Sequence, residues 1–245
     1  KTGSGSITVG AGGAIAVSGA LTSSGGGTIN TTGGTLSVGT TMSLSATYLT
    51  VGTSGVVTTM GDFSFAPSAN YILNLTGGGT LNVGGNATFG GSNGTITVAD
   101  GSVSVVGSAT FNRNTDFSSA TAYSLGSITV AAGTTTLKSS GLFTTASATL
   151  TGGTLNTGTG TVTVTGAITM SNAANLTVAG TLNAQSGISS TSTGTISMSG
   201  GALNVGTSFS LTSGTLNLTG GALSVMGDFS KTGGTFTVGS GSFAV

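Results

Sequence analysis

In the last third of the chain, small and mostly polar residues alternate with apolar ones in runs of four. Thr195-Ile-Ser-Met198, Thr215-Leu-Asn-Leu218 and Thr235-Phe-Thr-Val238 each carry two apolar side chains at alternate positions. Successive side chains of an extended strand point to opposite faces, so each run buries one face and offers the other to solvent. These runs begin 20 residues apart. A second series, Ala202-Leu-Asn-Val205, Ala222-Leu-Ser-Val225 and Ser242-Phe-Ala-Val245, keeps the same step, and Phe209 and Phe229 mark a third. Gly-rich turns such as Ser199-Gly-Gly201 and Thr219-Gly-Gly221 separate the runs. A fixed step with three strands in it is the signature of a repeat architecture. It predicts an all-β fold, a right-handed parallel β-helix (β-solenoid) with three strands per coil of about 20 residues, forming a single domain over residues 1–245. Each strand then pairs with its equivalent one coil away, at about 4.8 Å.

Tracing one strand of each coil backward gives an apolar core column of Ile15, Leu36, Val56, Leu81, Val103, Ile128, Leu155, Leu176, Ile196 and Leu216. Its spacing is 20 to 21 near both ends and 22 to 27 between Val56 and Leu155, so turns there must bulge outward. Asn112-Arg-Asn-Thr-Asp-Phe117 holds two charges and is the expected exposed loop. The register of residues 104–150 stays open. Antiparallel hairpins through the short turns are a competing reading, but a sandwich gives no reason for a fixed 20-residue step. A left-handed hexapeptide helix would keep steps of six, whereas Ile196, Leu203, Phe209, Leu216, Leu223, Phe229 and Phe236 step by six and seven.

Composition narrows the function. The chain has 47 Gly, one Pro, no Cys, no His and eight charged residues, Lys1, Asp62, Asp100, Arg113, Asp116, Lys138, Asp228 and Lys231, with zero net charge. Disordered segments are poor in β-branched residues, and this chain is rich in Val, Ile and Thr. Neutrality removes the basic footprint that nucleic acid requires. No apolar stretch approaches the ~20 residues of a membrane-spanning helix. The start, Lys-Thr-Gly-Ser-Gly, reads as a mature or excised segment.

The runs Gly-Gly-Thr-Leu-Ser-Val (33–38), Gly-Gly-Thr-Leu-Asn-Val (78–83) and Gly-Gly-Ala-Leu-Asn-Val (200–205) resemble the β-helical repeat regions of large secreted bacterial surface proteins, the filamentous-haemagglutinin-type adhesins and autotransporter passenger domains. The resemblance implies an extracellular or cell-surface location and a role as stalk, adhesin or filament subunit. The resulting expectation is a structural protein with no enzymatic activity and no cofactor, assembling head to tail as a homo-oligomer.

The chemistry that would contradict this lacks residues. A glycosidase needs two carboxylates about 5–10 Å apart. Asp62 and Asp228 sit in copies of one segment, Met-Gly-Asp-Phe-Ser, about seven coils and so roughly 34 Å apart, and Asp100 and Asp116 lie in turn-like sequence. Without His, Cys or Glu, neither a catalytic triad nor a transition-metal site can be assembled. Asn-x-Ser/Thr sequons at Asn30, Asn74, Asn86, Asn93, Asn175 and Asn217 are what a Thr-rich chain produces by chance. Two alternatives remain. One is an adhesive segment binding a glycan or surface. The other is ice binding through outward pairs such as Thr154/Asn156, Thr195/Ser197 and Thr235/Thr237, which resemble the Thr arrays of β-solenoid ice-binding proteins, although Ala14/Ala16 and Gly55/Val57 interrupt them. For assembly, the expected contacts are Ile7 and Val9 of the first strand meeting Phe236, Phe243 and Val245 of the last coil. Counted along the column, Ile7 falls in the third strand position, which that last coil lacks.

Overall fold

The computed structural model describes residues 4–91, 95–137 and 141–245; Lys1, Asn93 and Lys138 lie outside them. The chain is an all-β parallel solenoid of three-strand coils repeating about every 20 residues. Contacts divide it into two compact units, Lys1–Gly126 and Ser127–Val245.

In the first unit one stack runs through Ser6–Val9, Thr28–Thr32, Tyr48–Gly52, Ile72–Leu75, Thr95–Val98 and Thr115–Asp116. A second runs through Ala14–Val17, Thr35–Val38, Val56–Thr59 and Thr80–Val83 into Ser102–Phe111. The third passes through Leu21–Ser23, Met42–Leu44, Phe63–Phe65 and Ala87–Phe89 and reaches the far half of that same long strand. Ser102–Phe111 thus turns the corner between two faces without leaving extended geometry.

The second unit repeats the pattern with tighter turns. Its Thr134 stack comprises Thr134–Thr136, Thr154–Asn156, Asn175–Val178, Thr195–Met198, Thr215–Leu218 and Thr235–Val238. The Leu142 stack runs from Leu142–Thr145 to Ser242–Ala244. The Ala148 stack runs from Ala148–Leu150 to Phe229–Lys231.

Alternation sets the burial. Leu176, Ile196 and Leu216 are buried while Thr177, Ser197 and Asn217 on the same strands are half-exposed. Each fully buried Leu or Ile contributes about 1.5–3 kcal/mol, repeated at every rung. Larger gaps inside the first unit take aromatics: Phe89 stacks on Phe111 with centroids 5.2 Å apart, and Phe117 meets Phe111 at 5.7 Å and Tyr123 at 5.1 Å. Thr31 and Thr135 point into the core, and neither Oγ1 has a hydrogen-bond partner. Thr31 stands between Val9 and Val51 in its column. Val has nearly the same shape and no hydroxyl to desolvate, so Thr31→Val is expected to stabilise the protein by about 1 kcal/mol, read as a higher denaturant midpoint with unchanged slope.

The expected exposed loop at 112–117 is corrected. Arg113, Thr115 and Phe117 are buried, and Thr115–Asp116 pairs in register with Ile96 and Thr97. The Phe111, Phe117 and Tyr123 cluster draws this segment inward, where the Arg113 Nη1 donates to the Gly90 carbonyl at 2.9 Å. An outward bulge lies instead at residues 66–71, around the chain's one proline, with Ser68, Ala69 and Asn70 exposed.

Candidate functional site

The residues expected in one core column fall into separate columns. Ile15, Leu36, Leu81 and Val103 share the second stack of the first unit, where the member between Leu36 and Leu81 is Val57. Val56 faces outward, because two consecutive valines leave the phase of alternation undecided and the turn at Gly55 sets it. Leu155, Leu176, Ile196 and Leu216 share the Thr134 stack, and Phe236 continues it. Ile128 does not join Leu155 but pairs with Ala148. The column is thus broken at Ile128. Ile15 itself is 37 % exposed, since no described strand covers the outer side of Ala14–Val17.

Among the residues expected to mediate assembly, Val9 is buried and Ile7 half-buried, paired with Thr31 and Ile29. At the other end Phe229, Phe236 and Phe243 form a mutual triangle, with centroids 4.9 to 5.3 Å apart. All three are only partly covered, and Val238 and Val245 are exposed. The strand-phase match of Ile7 to the last coil does not follow from the structure, because the column on which it was counted does not exist.

The outer faces differ sharply from one another. On the Thr134 stack the outward pairs are Thr134/Thr136, Thr154/Asn156, Asn175/Thr177, Thr195/Ser197, Thr215/Asn217 and Thr235/Thr237, a two-column array without charge or aromatic ring. Ala14/Ala16 belongs to the first unit's second stack, where Val57 faces the core and the outward pair is Val56/Thr58, so neither expected interruption touches this array. Side chains bridge its rungs: the Ser197 hydroxyl donates to Thr177 at 3.4 Å and the Thr195 N–H to the Asn175 amide oxygen at 2.8 Å. Three of the four aspartate carboxylates are engaged with the backbone. Asp62 accepts the Asn86 N–H at 2.7 Å, Asp100 the Gly77 N–H at 2.5 Å and Asp116 the Ser118 N–H at 2.8 Å. Burial holds the Arg113 guanidinium below its usual pKa range. Among the described residues no three His, Cys, Asp or Glu side chains gather as metal ligands do.

Asp aside, the two Met-Gly-Asp-Phe-Ser segments have a shared feature that alternation did not reveal. Met60 and Met226 are 69 % and 84 % exposed, and their N–H groups donate to Val38 and Val205 one coil back. Each forms the lip of a shallow furrow, beside Ala16, Ser37 and Thr58 in one unit and Asn183, Asn204 and Ser224 in the other. The verbatim repeat of the segment was the available signal.

What both units have in common is a solid interior of stacked apolar side chains beneath outer faces rich in hydroxyl and amide groups. The chain is a β-solenoid scaffold. It matches no protein-family model, and no curated protein or solved structure matches it significantly.

Proposed function

We propose that the chain is a shaft segment of an extracellular fibre, joined end to end by stacking of parallel strands. The observation that carries the reading is the aromatic end of the second unit. Phe229, Phe236 and Phe243 present partly uncovered rings, and the strands Thr235–Val238, Ser242–Ala244 and Phe229–Lys231 offer one edge to no described strand. An edge that combines unpaired backbone groups with an apolar surface is a template for further strands. Contacts between unlike surfaces of identical copies propagate without closing. The faces rich in hydroxyl and amide groups support the extracellular role in the same direction as the resemblance to bacterial surface proteins, since a repeat stabilised rung by rung needs neither disulfides nor surface ion pairs.

The covering strands can come from a copy or from further coils of a longer chain, and the purified 245-residue chain separates these sources. Its sedimentation and negative-stain images are expected to show rods that lengthen with concentration. Phe236→Asp with Phe243→Asp is expected to give a monodisperse species with unchanged circular dichroism. An intact chain that stays monomeric at every concentration, or polymers that persist in the double variant, would overturn assembly through this end.

A second reading is favoured by the unbroken array on the Thr134 stack. Its rungs repeat at about 4.8 Å, and the two columns stand about 6.7 Å apart along the strand, a regular lattice of hydroxyl and amide groups with methyls between them. Ordering of water on such a face is the chemistry of ice binding, and thermal hysteresis that disappears in Thr195→Lys with Thr215→Lys is the measurement that supports it.

A further inference from the structure

The Ser6 stack of the first unit carries a face unlike the others. Its outward column reads Ser6, Thr28, Tyr48 and then Ile72, so an aromatic and an aliphatic side chain occupy neighbouring rungs where small polar residues stand elsewhere. Tyr48 and Ile72 are each 41 % exposed. Tyr71, at the end of the outward bulge, packs edge to face against Tyr48 with centroids 5.0 Å apart and planes at 64°. The Tyr71 hydroxyl reaches across to Gly26, where a Cβ would stand 3.4 Å from it. Two of the chain's three tyrosines therefore meet on one exposed face.

Two residues further along the same strands, about 6.7 Å away, the outward column is Asn30, Thr50 and Asn74 in register. The Thr32 hydroxyl donates to the Asn30 amide oxygen at 2.7 Å, which orients that amide. Beyond it Gly52 leaves a notch between hydroxyls: a Cβ there would lie 3.5 Å from the Thr32 Oγ1 and 3.7 Å from the Thr76 Oγ1. Residues 2–61 contain no charged side chain, and neither do residues 63–76.

We infer that Tyr48, Tyr71 and Ile72, together with Asn30, Thr50 and Asn74, form a binding platform for a neutral saccharide. A sugar ring has an apolar C–H face and a rim of hydroxyls that both donate and accept. The ring and alkyl surfaces of the first column match the former, and the amides and hydroxyls of the second match the latter. Tyrosine suits such a position because its flat apolar body ends in a polar tip. A purely apolar ligand would leave the Asn and Thr groups without partners, and the charged member of their column, Asp116, stands two rungs beyond Asn74, outside the six platform residues. Binding sites usually combine an apolar surface with a few convergent polar groups. The inference is independent of end-to-end assembly, which involves other residues.

The absence of Trp makes tyrosine fluorescence a direct reporter on the purified chain, alongside an array of immobilised neutral oligosaccharides with sialylated and sulfated ones for comparison. Neutral saccharides are expected to bind and to change the emission. Tyr48→Ser with Tyr71→Ser should weaken binding at least about tenfold, the scale of losing an aromatic anchor. Tyr48→Phe with Tyr71→Phe should retain it to within about threefold, as should Thr195→Ala on the other unit. If the Ser pair fails to fold, judged by circular dichroism, Asn30→Ala with Asn74→Ala reads the same site and is expected to lose binding likewise. Four results would overturn the inference: no neutral saccharide bound, charged saccharides preferred, a folded Ser pair binding as well as wild type, or sedimentation showing that the tyrosine pair holds copies of the chain together without sugar.

Discussion

Leu216→Asp is expected to lose more than about 4 kcal/mol of stability, the range reserved for a charge buried without a partner. Leu216 has no accessible surface and stands between Ile196 and Phe236 in a parallel column, so no rotation of the new side chain reaches water. A carboxylate there either remains ionised among aliphatic neighbours or takes up a proton at the expense of its pKa, and both routes cost stability. Because solenoid stability is a sum over neighbouring interfaces, the damage concentrates in adjacent rungs. Hydrogen exchange is expected to lose protection first at Thr195–Met198 and Thr235–Val238, while the distant coils of the unit keep theirs. Asn217→Asp, one residue along and on the outer face, is expected to change stability by no more than about 0.5 kcal/mol. Equal melting curves for Leu216→Asp and wild type would contradict the column.

The reason the column near Leu216 was legible and its continuation was not lies in the turns. From Thr195 on, each strand of the Thr134 and Leu142 stacks directly follows a glycine and begins with Thr, Ala or Ser, so alternation there has an unambiguous start. Ser102–Phe111 and Ala122–Val130 are each one continuous strand, with Gly107 and Gly126 inside rather than between elements. A reading that counts one strand per apolar run loses its place there, and Ile128 was assigned to a column it does not occupy. Polarity misled at Arg113 in the same way, because the charges of Arg113 and Asp116 suggested solvent while Phe117 was anchoring the segment in the core. The surface was less legible still. Tyr48 and Tyr71 are 23 residues apart, and only the parallel register makes Tyr48 and Ile72 neighbours. A one-dimensional pattern that labels both simply as apolar cannot say which apolar residues face out.

Gly200 and Gly201 show the same limit most plainly, and they give the second large effect. In sequence they are a single Gly-Gly turn. In the structure Gly201 has φ +70°, and a Cβ on it would lie 1.9 Å from the Gly180 carbonyl oxygen and 2.7 Å from that of Ala179. Gly180 belongs to the turn one coil below, so the collision is between backbones that the parallel ladder holds in place: the Ala202 N–H donates to that same Gly180 carbonyl at 2.9 Å. Relief requires lifting one turn off the next, which breaks this bond and tilts Ala202–Val205. Added to the unfavourable positive φ, Gly201→Ala is expected to cost about 2–4 kcal/mol. Gly200 has ordinary φ and nothing within 4 Å of its would-be Cβ. There an added methyl meets only solvent and restricts the unfolded chain, so Gly200→Ala is expected to be neutral or stabilising by up to about 0.5 kcal/mol. Urea unfolding of the two single variants, one residue apart, decides the matter. Similar losses in both would mean that the turn is not stacked on its neighbour as closely as the strand register requires.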